Sequence, residues 1–121
     1  MPNKVLIVDD SSYTQSIIKK ILYSEGGYEI VGVAKDGATA LKMADELKPD
    51  LITLDNILPD MIGMNMIKSL KAELPNLRVI MVSAIKQESI IDQAMSLGAD
   101  SYLVKPITEE NLLQALKEAH A

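Results

Sequence analysis

The sequence predicts an α/β domain on a doubly wound, five-stranded parallel sheet, and three observations carry that prediction. Five short, mostly β-branched apolar runs recur along the chain, the intervals between them carry apolar residues at helical spacing, and 121 residues suffice for one substantial core but not for two ordinary domains. One domain spanning 1–121 is therefore expected.

The runs are Val5-Leu6-Ile7-Val8, Ile30 to Ala34, Leu51-Ile52-Thr53-Leu54, Val79-Ile80-Met81-Val82 and Tyr102-Leu103-Val104. They are too short for helices, and their unbroken apolar character is that of strands covered on both faces of a parallel sheet. The intervals carry Tyr13, Ile17, Ile18, Ile21 and Leu22; Ala40, Leu41, Ala44 and Leu47; Ile67, Leu70 and Leu74; Ile90, Ile91, Ala94 and Met95; and Leu112, Leu113, Leu116 and Ala119. Each set draws an apolar stripe along one helix face. Ser11, Asp36 and Thr108 are suited to cap helix starts, Gly26 and Gly98 to follow helix ends, and Pro49 and Pro75 to lie just beyond them. Right-handed crossovers then place helices on both sides of the sheet.

Composition narrows the function. The chain has no cysteine, so disulfides and thiolate metal sites are excluded, and a metal would rest on oxygen ligands or on the single histidine, His120. A lone histidine in a final helical turn is ordinarily a helix-dipole partner, and no role is assigned to it. The formal net charge of −5 argues against direct binding of nucleic acid. No run approaches the roughly 18 apolar residues of a membrane span, and the start of the chain lacks the pattern of a signal peptide. A cytoplasmic protein without membrane contact is expected. Met61, Met64 and Met66 are read as gap-filling core residues rather than a binding patch.

In open α/β sheets, ligands bind beyond the carboxyl ends of the strands. Asp9 and Asp10 follow the first run, Asp55 the third, Ser83 the fourth, and Lys105-Pro106 the fifth. Any one of these alone is an ordinary polar loop residue. Together they put three carboxylates, a hydroxyl and an ammonium on one edge. Three converging carboxylates repel one another unless a cation is held among them, and without cysteine the cation is a hard one, Mg²⁺. Phosphate chemistry follows, because Mg²⁺ binds through few carboxylates plus a phosphate oxygen.

The segments VLIVDDSS, LITLDNILPDMIG, VIMVSA and YLVKPI resemble, in register over essentially the whole chain, the signature positions of CheY-like receiver domains of two-component signalling. That resemblance implies a flavodoxin-like (βα)5 fold with strand order 2-1-3-4-5. It implies Asp55 as phosphoacceptor; Asp10, Asp55 and the backbone carbonyl of Ile57 as Mg²⁺ ligands; and Asp9 as the completion of the acidic pocket. Lys105 would pair with a phosphoryl oxygen, Ser83 would bond another, and Pro106 would follow a cis peptide bond. Tyr102 stands where receivers often carry an aromatic residue that moves with the hydroxyl at the Ser83 position. The partners implied are a histidine kinase or phosphotransfer protein, a downstream protein read through the fourth helix, fifth strand and fifth helix, and a separate phosphatase. The last expectation rests on Ile57 and Ile85, which flank the phosphoryl position and can exclude water but not orient it. Ile62, Gln15 and Ile107 depart from the common receiver pattern, where Asp or Asn, Arg and Phe are frequent.

Two rivals are weaker. A Mg²⁺-dependent phosphatase with an aspartate nucleophile ordinarily has a second acid two residues on, where this chain has Ile57. An FMN carrier would present hydroxyls and amides to a phosphate where this chain has Asp9-Asp10. The reading is thus a phosphoacceptor switch rather than a turnover enzyme. The initial Met1 and the ending just past the last helix favour a stand-alone regulator similar to those of chemotaxis, the alternative being a receiver excised from a longer regulator.

Overall fold

Alternate residues of a strand face opposite sides of its sheet, so near-continuous apolar strands supply two cores at once. The computed structural model, which describes residues 3–121, has this arrangement. Met1 and Pro2 of the expected domain lie outside the described residues. Strands β1 (Asn3–Val8), β2 (Tyr28–Ala34), β3 (Leu51–Asp55), β4 (Arg78–Ser83) and β5 (Ser101–Val104) alternate with helices α1 (Ser12–Glu25), α2 (Gly37–Leu47), α3 (Ile67–Glu73), α4 (Glu88–Ser96) and α5 (Glu109–Ala119). All pairings are parallel, in the order β2-β1-β3-β4-β5.

Leu6, Val8, Ile52, Leu54, Val79 and Met81 face one side, packing with Ala40, Ala44, Ile67, Leu70 and Ala94 of α2, α3 and α4. Val5, Ile7, Leu51, Ile80, Val82 and Leu103 face the other, packing with Ile18, Leu22, Leu112, Leu116 and Ala119 of α1 and α5. Each valine, leucine, isoleucine or methionine side chain fully buried in these layers removes apolar area worth about 1.5–3 kcal/mol. The expectation of strands covered on both faces holds for β1, β3 and β4. As edge strands, β2 is mostly half-buried and β5 alternates buried and half-buried residues.

Helix boundaries follow local chemistry. Ser11, Asp36 and Thr108 each cap a helix, their side chains accepting from the N–H groups of Thr14, Thr39 and Asn111. Gly26 and Gly98 take positive φ, 78° and 116°, just past α1 and α4. Lys48 also adopts a left-handed conformation, φ 50°, to end α2 before Pro49. The third interval is more broken than its spacing suggests: a 3-10 turn over Gly63–Met66 precedes α3, and Leu74 lies at the C-cap instead of inside the helix. Pro75 explains the second feature, because a residue before proline is pushed out of the α region. Met64 and Met66 are buried and Met61 packs partly buried against the same core, as gap-filling residues do. Among the described residues no helix is long and apolar enough to cross a membrane.

Candidate functional site

The strand order reverses between β1 and β3, and that reversal assembles the site. Val8 of β1 is paired with Leu54 of β3, so Asp9 and Asp55, the next residue of each chain segment, leave the sheet side by side. Asp9, Asp10 and Asp55 each present a carboxylate oxygen within 4.8 Å of the others. Asp9 and Asp55 are buried, whereas Asp10 is exposed. From the end of β5, the Lys105 ammonium reaches 3.2 Å from Asp9 Oδ2 and 3.5 Å from Asp55 Oδ1. The Lys105–Pro106 peptide bond is cis.

One ammonium against three carboxylates leaves an excess of negative charge in a poorly solvated place. Burial, and after it the nearby Asp9 carboxylate, push Asp55 up from 3.8 to about 6, with Lys105 and the Ile57 N–H pulling the other way. Asp9 Oδ1 accepts from the Ser11 N–H at 2.8 Å, and the buried Gln15 amide donates to the Asp9 carbonyl at 2.6 Å. Asp9 Oδ2 is buried, and among the described residues it has the Lys105 ion pair but no hydrogen-bond donor. An under-satisfied buried carboxylate oxygen, in a donor set made only of carboxylates, fits a hard divalent cation such as Mg²⁺.

Ser83 is buried at the end of β4, with its Oγ accepting from the Ile85 N–H at 3.1 Å. The Tyr102 hydroxyl donates to the Ile85 carbonyl at 3.0 Å. Both polar groups of one residue in the β4–α4 loop are thus held by the two side chains singled out as switch residues. Lys105 joins the same set through its backbone, whose N–H donates to the Ser83 carbonyl at 2.8 Å. Ile57 donates its N–H to Asp55 Oδ1 at 3.4 Å, and the residue is 56% exposed.

Three residues of the loop after β3 were not singled out from sequence. Asn56 is buried, accepting from Met64 N–H through its side chain at 3.0 Å and from Gly63 N–H through its carbonyl at 2.6 Å. Gly63 is required for space, since a Cβ there would overlap the Asp55 carbonyl oxygen, which is backbone and cannot move aside. Asp60 accepts from the first two N–H groups of α2, Gly37 at 2.7 Å and Ala38 at 3.0 Å. The only sequence signal for these was their closeness to Asp55; a buried loop asparagine and a solvated one look alike in a sequence.

Two concavities flank β5 and the loop that follows it. A groove of about 360 Å³ beside Lys105 is lined by Tyr13, Thr14, Ile17, Pro106 and Ile107. A wider one of about 620 Å³ runs along β5 and α5, with Tyr102, Val104, Asn111 and Gln114 in its lining. Asp9, Asp10 and Asp55 do not line the wider groove.

Comparison with known proteins gives concordant results. A family model described as the response regulator receiver domain matches residues 5–117. The chemotaxis protein CheY of Listeria monocytogenes is 38% identical over 116 residues, which cover 96% of this chain and 97% of that one. CheY of Thermotoga maritima is 36% identical over 118 residues, 98% of each chain. Among solved structures, the CheX–CheY–BeF3–Mg complex of Borrelia burgdorferi aligns with a TM-score of 0.90 at 33% identity, covering all of this chain and 91% of that one.

Proposed function

Because this chain belongs to the response regulator receiver domain family, we propose that it is a phosphorylation-activated switch in which Asp55 takes a phosphoryl group from a histidine kinase or a phosphotransfer protein. The observation that carries this reading is the convergence of Asp9, Asp10 and Asp55 with Lys105 at the β1/β3 strand ends. An Asp55 carboxylate oxygen attacks the phosphorus of a phosphohistidine, the P–N bond breaks, and the imidazole leaves with the electron pair and takes a proton. The product is an acyl phosphate on Asp55. Without metal Asp55 is raised to about 6, so it is still mostly ionised at neutral pH, the form that attacks.

Asp10, Asp55 and the Ile57 carbonyl, with Asp9 completing the pocket, would hold Mg²⁺, whose charge would stabilise the phosphoryl oxygens. Lys105 supplies a second positive charge, released from its pairs with Asp9 and Asp55 as phosphoryl oxygens arrive. Ser83 donates to a further oxygen. Because Ser83 and Tyr102 both hold the backbone of Ile85, recruiting the Ser83 hydroxyl biases the β4–α4 loop and, through it, Tyr102 on the wider groove. A downstream protein reads that change on α4, β5 and α5.

Relatives named for chemotaxis favour a cytoplasmic chemotaxis regulator, with a receiver cut from a longer regulator as the alternative. Ile57 offers no general acid or base, which favours single acceptance over turnover of an external phosphate ester. A phosphatase partner fits the same residue, as hydrocarbon at the mouth cannot orient water. Intact mass measured with Mg²⁺ and acetyl phosphate tests the proposal: wild type gains one phosphoryl group and Asp55→Asn none. Gain by the variant at the wild-type rate overturns it.

A further inference from the structure

The loop carrying Ile57 is fastened to α2, a helix that contributes nothing to the acidic cluster. Two carboxylates serve the first turn of α2. Asp36 accepts from Thr39 N–H at 2.7 Å, the ordinary job of an N-cap. Asp60 comes from outside the helix and accepts from Gly37 and Ala38. Met61, next in sequence, packs onto Gly37 so closely that a Cβ at position 37 would overlap its sulfur. The attachment is therefore both polar and steric. The lowered pKa of Asp60, caused first by the Gly37 N–H and then by that of Ala38, fits a carboxylate held by amides.

Inside the loop, Leu58 N–H donates to Met61 carbonyl at 3.2 Å, Ile57 and Ile62 form an antiparallel bridge, and Gly63 N–H donates to Asn56. Asp60 and Met61 thus sit at the tip of a small hairpin-like loop whose base holds Asp55 through the Ile57 N–H. A loop anchored at its base alone would be free to tilt about Asn56 and Gly63. Pinning its tip to a packed helix removes that freedom.

We propose that Asp60 is a positioning residue for the phosphoacceptor site: by bonding the α2 N-terminus it fixes the loop that presents the Ile57 backbone to Asp55 and to the cation. This deepens the receiver reading and rests on it for the cation.

Asp36 provides the control, since among the described residues its side chain bonds the N–H of Thr39 in the same helix turn and no group of the loop. The experiment compares wild type, Asp60→Ala, Asp60→Asn and Asp36→Ala by calorimetric Mg²⁺ titration and, without metal, by amide hydrogen exchange at Leu58, Gly63 and Met64. Asp60→Ala is expected to weaken Mg²⁺ binding by about tenfold, the lower end for loss of a group that supports a metal ligand, and to speed exchange at those three amides. Asp60→Asn, which keeps an acceptor oxygen, restores part of both. Asp36→Ala lowers the melting temperature but leaves Mg²⁺ affinity and loop exchange at wild-type values. Equal effects of Asp60→Ala and Asp36→Ala on loop exchange, or none from either, overturn the proposal. Absence of Mg²⁺ binding by wild type overturns the receiver reading instead, and the metal-free exchange still decides the role of Asp60.

Discussion

Replacing Asp55 by asparagine should stabilise the metal-free protein, by an amount that depends on pH in a defined way. Asp55 is 5% exposed and its carboxyl is raised from 3.8 to about 6. At about 1.36 kcal/mol per pH unit, ionising it in the folded state costs about 3 kcal/mol more than in the unfolded chain. Between these two values the folded state binds the extra proton, so stability falls as pH rises. Below 3.8 both states are protonated and there is no penalty; above about 6 the whole penalty is present. Asparagine is isosteric and uncharged. The expected stability difference, variant minus wild type, is therefore near zero at pH 3.5 and grows to about 3 kcal/mol at pH 7.5, a figure in which the attraction of Lys105 is already included. Urea unfolding in EDTA at several pH values measures it. Mg²⁺ should then close the gap from the wild-type side, since a ligand at a hundred times its Kd stabilises by about 2.7 kcal/mol. A difference of the same size at pH 3.5 and 7.5 would show that shape rather than charge distinguishes the two proteins. No difference at pH 7.5 would mean that the acidic cluster is not strained at all.

Three further outcomes are expected. Asp10→Asn should weaken Mg²⁺ binding in a calorimetric titration, yet raise metal-free stability less than Asp55→Asn does, because Asp10 is solvent-exposed; unchanged affinity removes it as a ligand. Ile57→Asn combined with Ile85→Glu should shorten the lifetime of the Asp55 phosphoryl group about tenfold, a barrier change of about 1.4 kcal/mol, because polar side chains at the mouth can orient the attacking water; a folded double variant with the wild-type lifetime, followed by intact mass after donor removal, refutes water exclusion. Gly63→Ala should destabilise the fold by about 2 kcal/mol or more in urea unfolding, since its methyl group would overlap a backbone oxygen that cannot give way; a loss below about 0.5 kcal/mol would show that the loop after β3 shifts readily.

The alternation of strands and helices, their caps and the chemical identity of the strand ends are legible in the order of the residues. These are local properties: a run of β-branched residues, an apolar stripe at helical period, or Asp36 three residues before Thr39 has the same meaning in most surroundings. Asp9, Asp10, Asp55, Ser83 and Lys105 were legible for that reason, being the polar residues that end apolar runs. The strand order came from resemblance and not from pattern, because nothing in the runs themselves says that β1 lies beside β3. Packing in three dimensions buries Asp9 with an under-satisfied oxygen while its neighbour Asp10 faces solvent. It leaves no room for a Cβ at Gly63, which lies against the Asp55 carbonyl eight residues back. It also turned Asp60 from a solvated loop acid into a link to a helix 22 and 23 residues earlier. Burial of a polar atom and close approach of distant backbone are set by packing between elements, and packing has no signature in the spacing of residues along the chain.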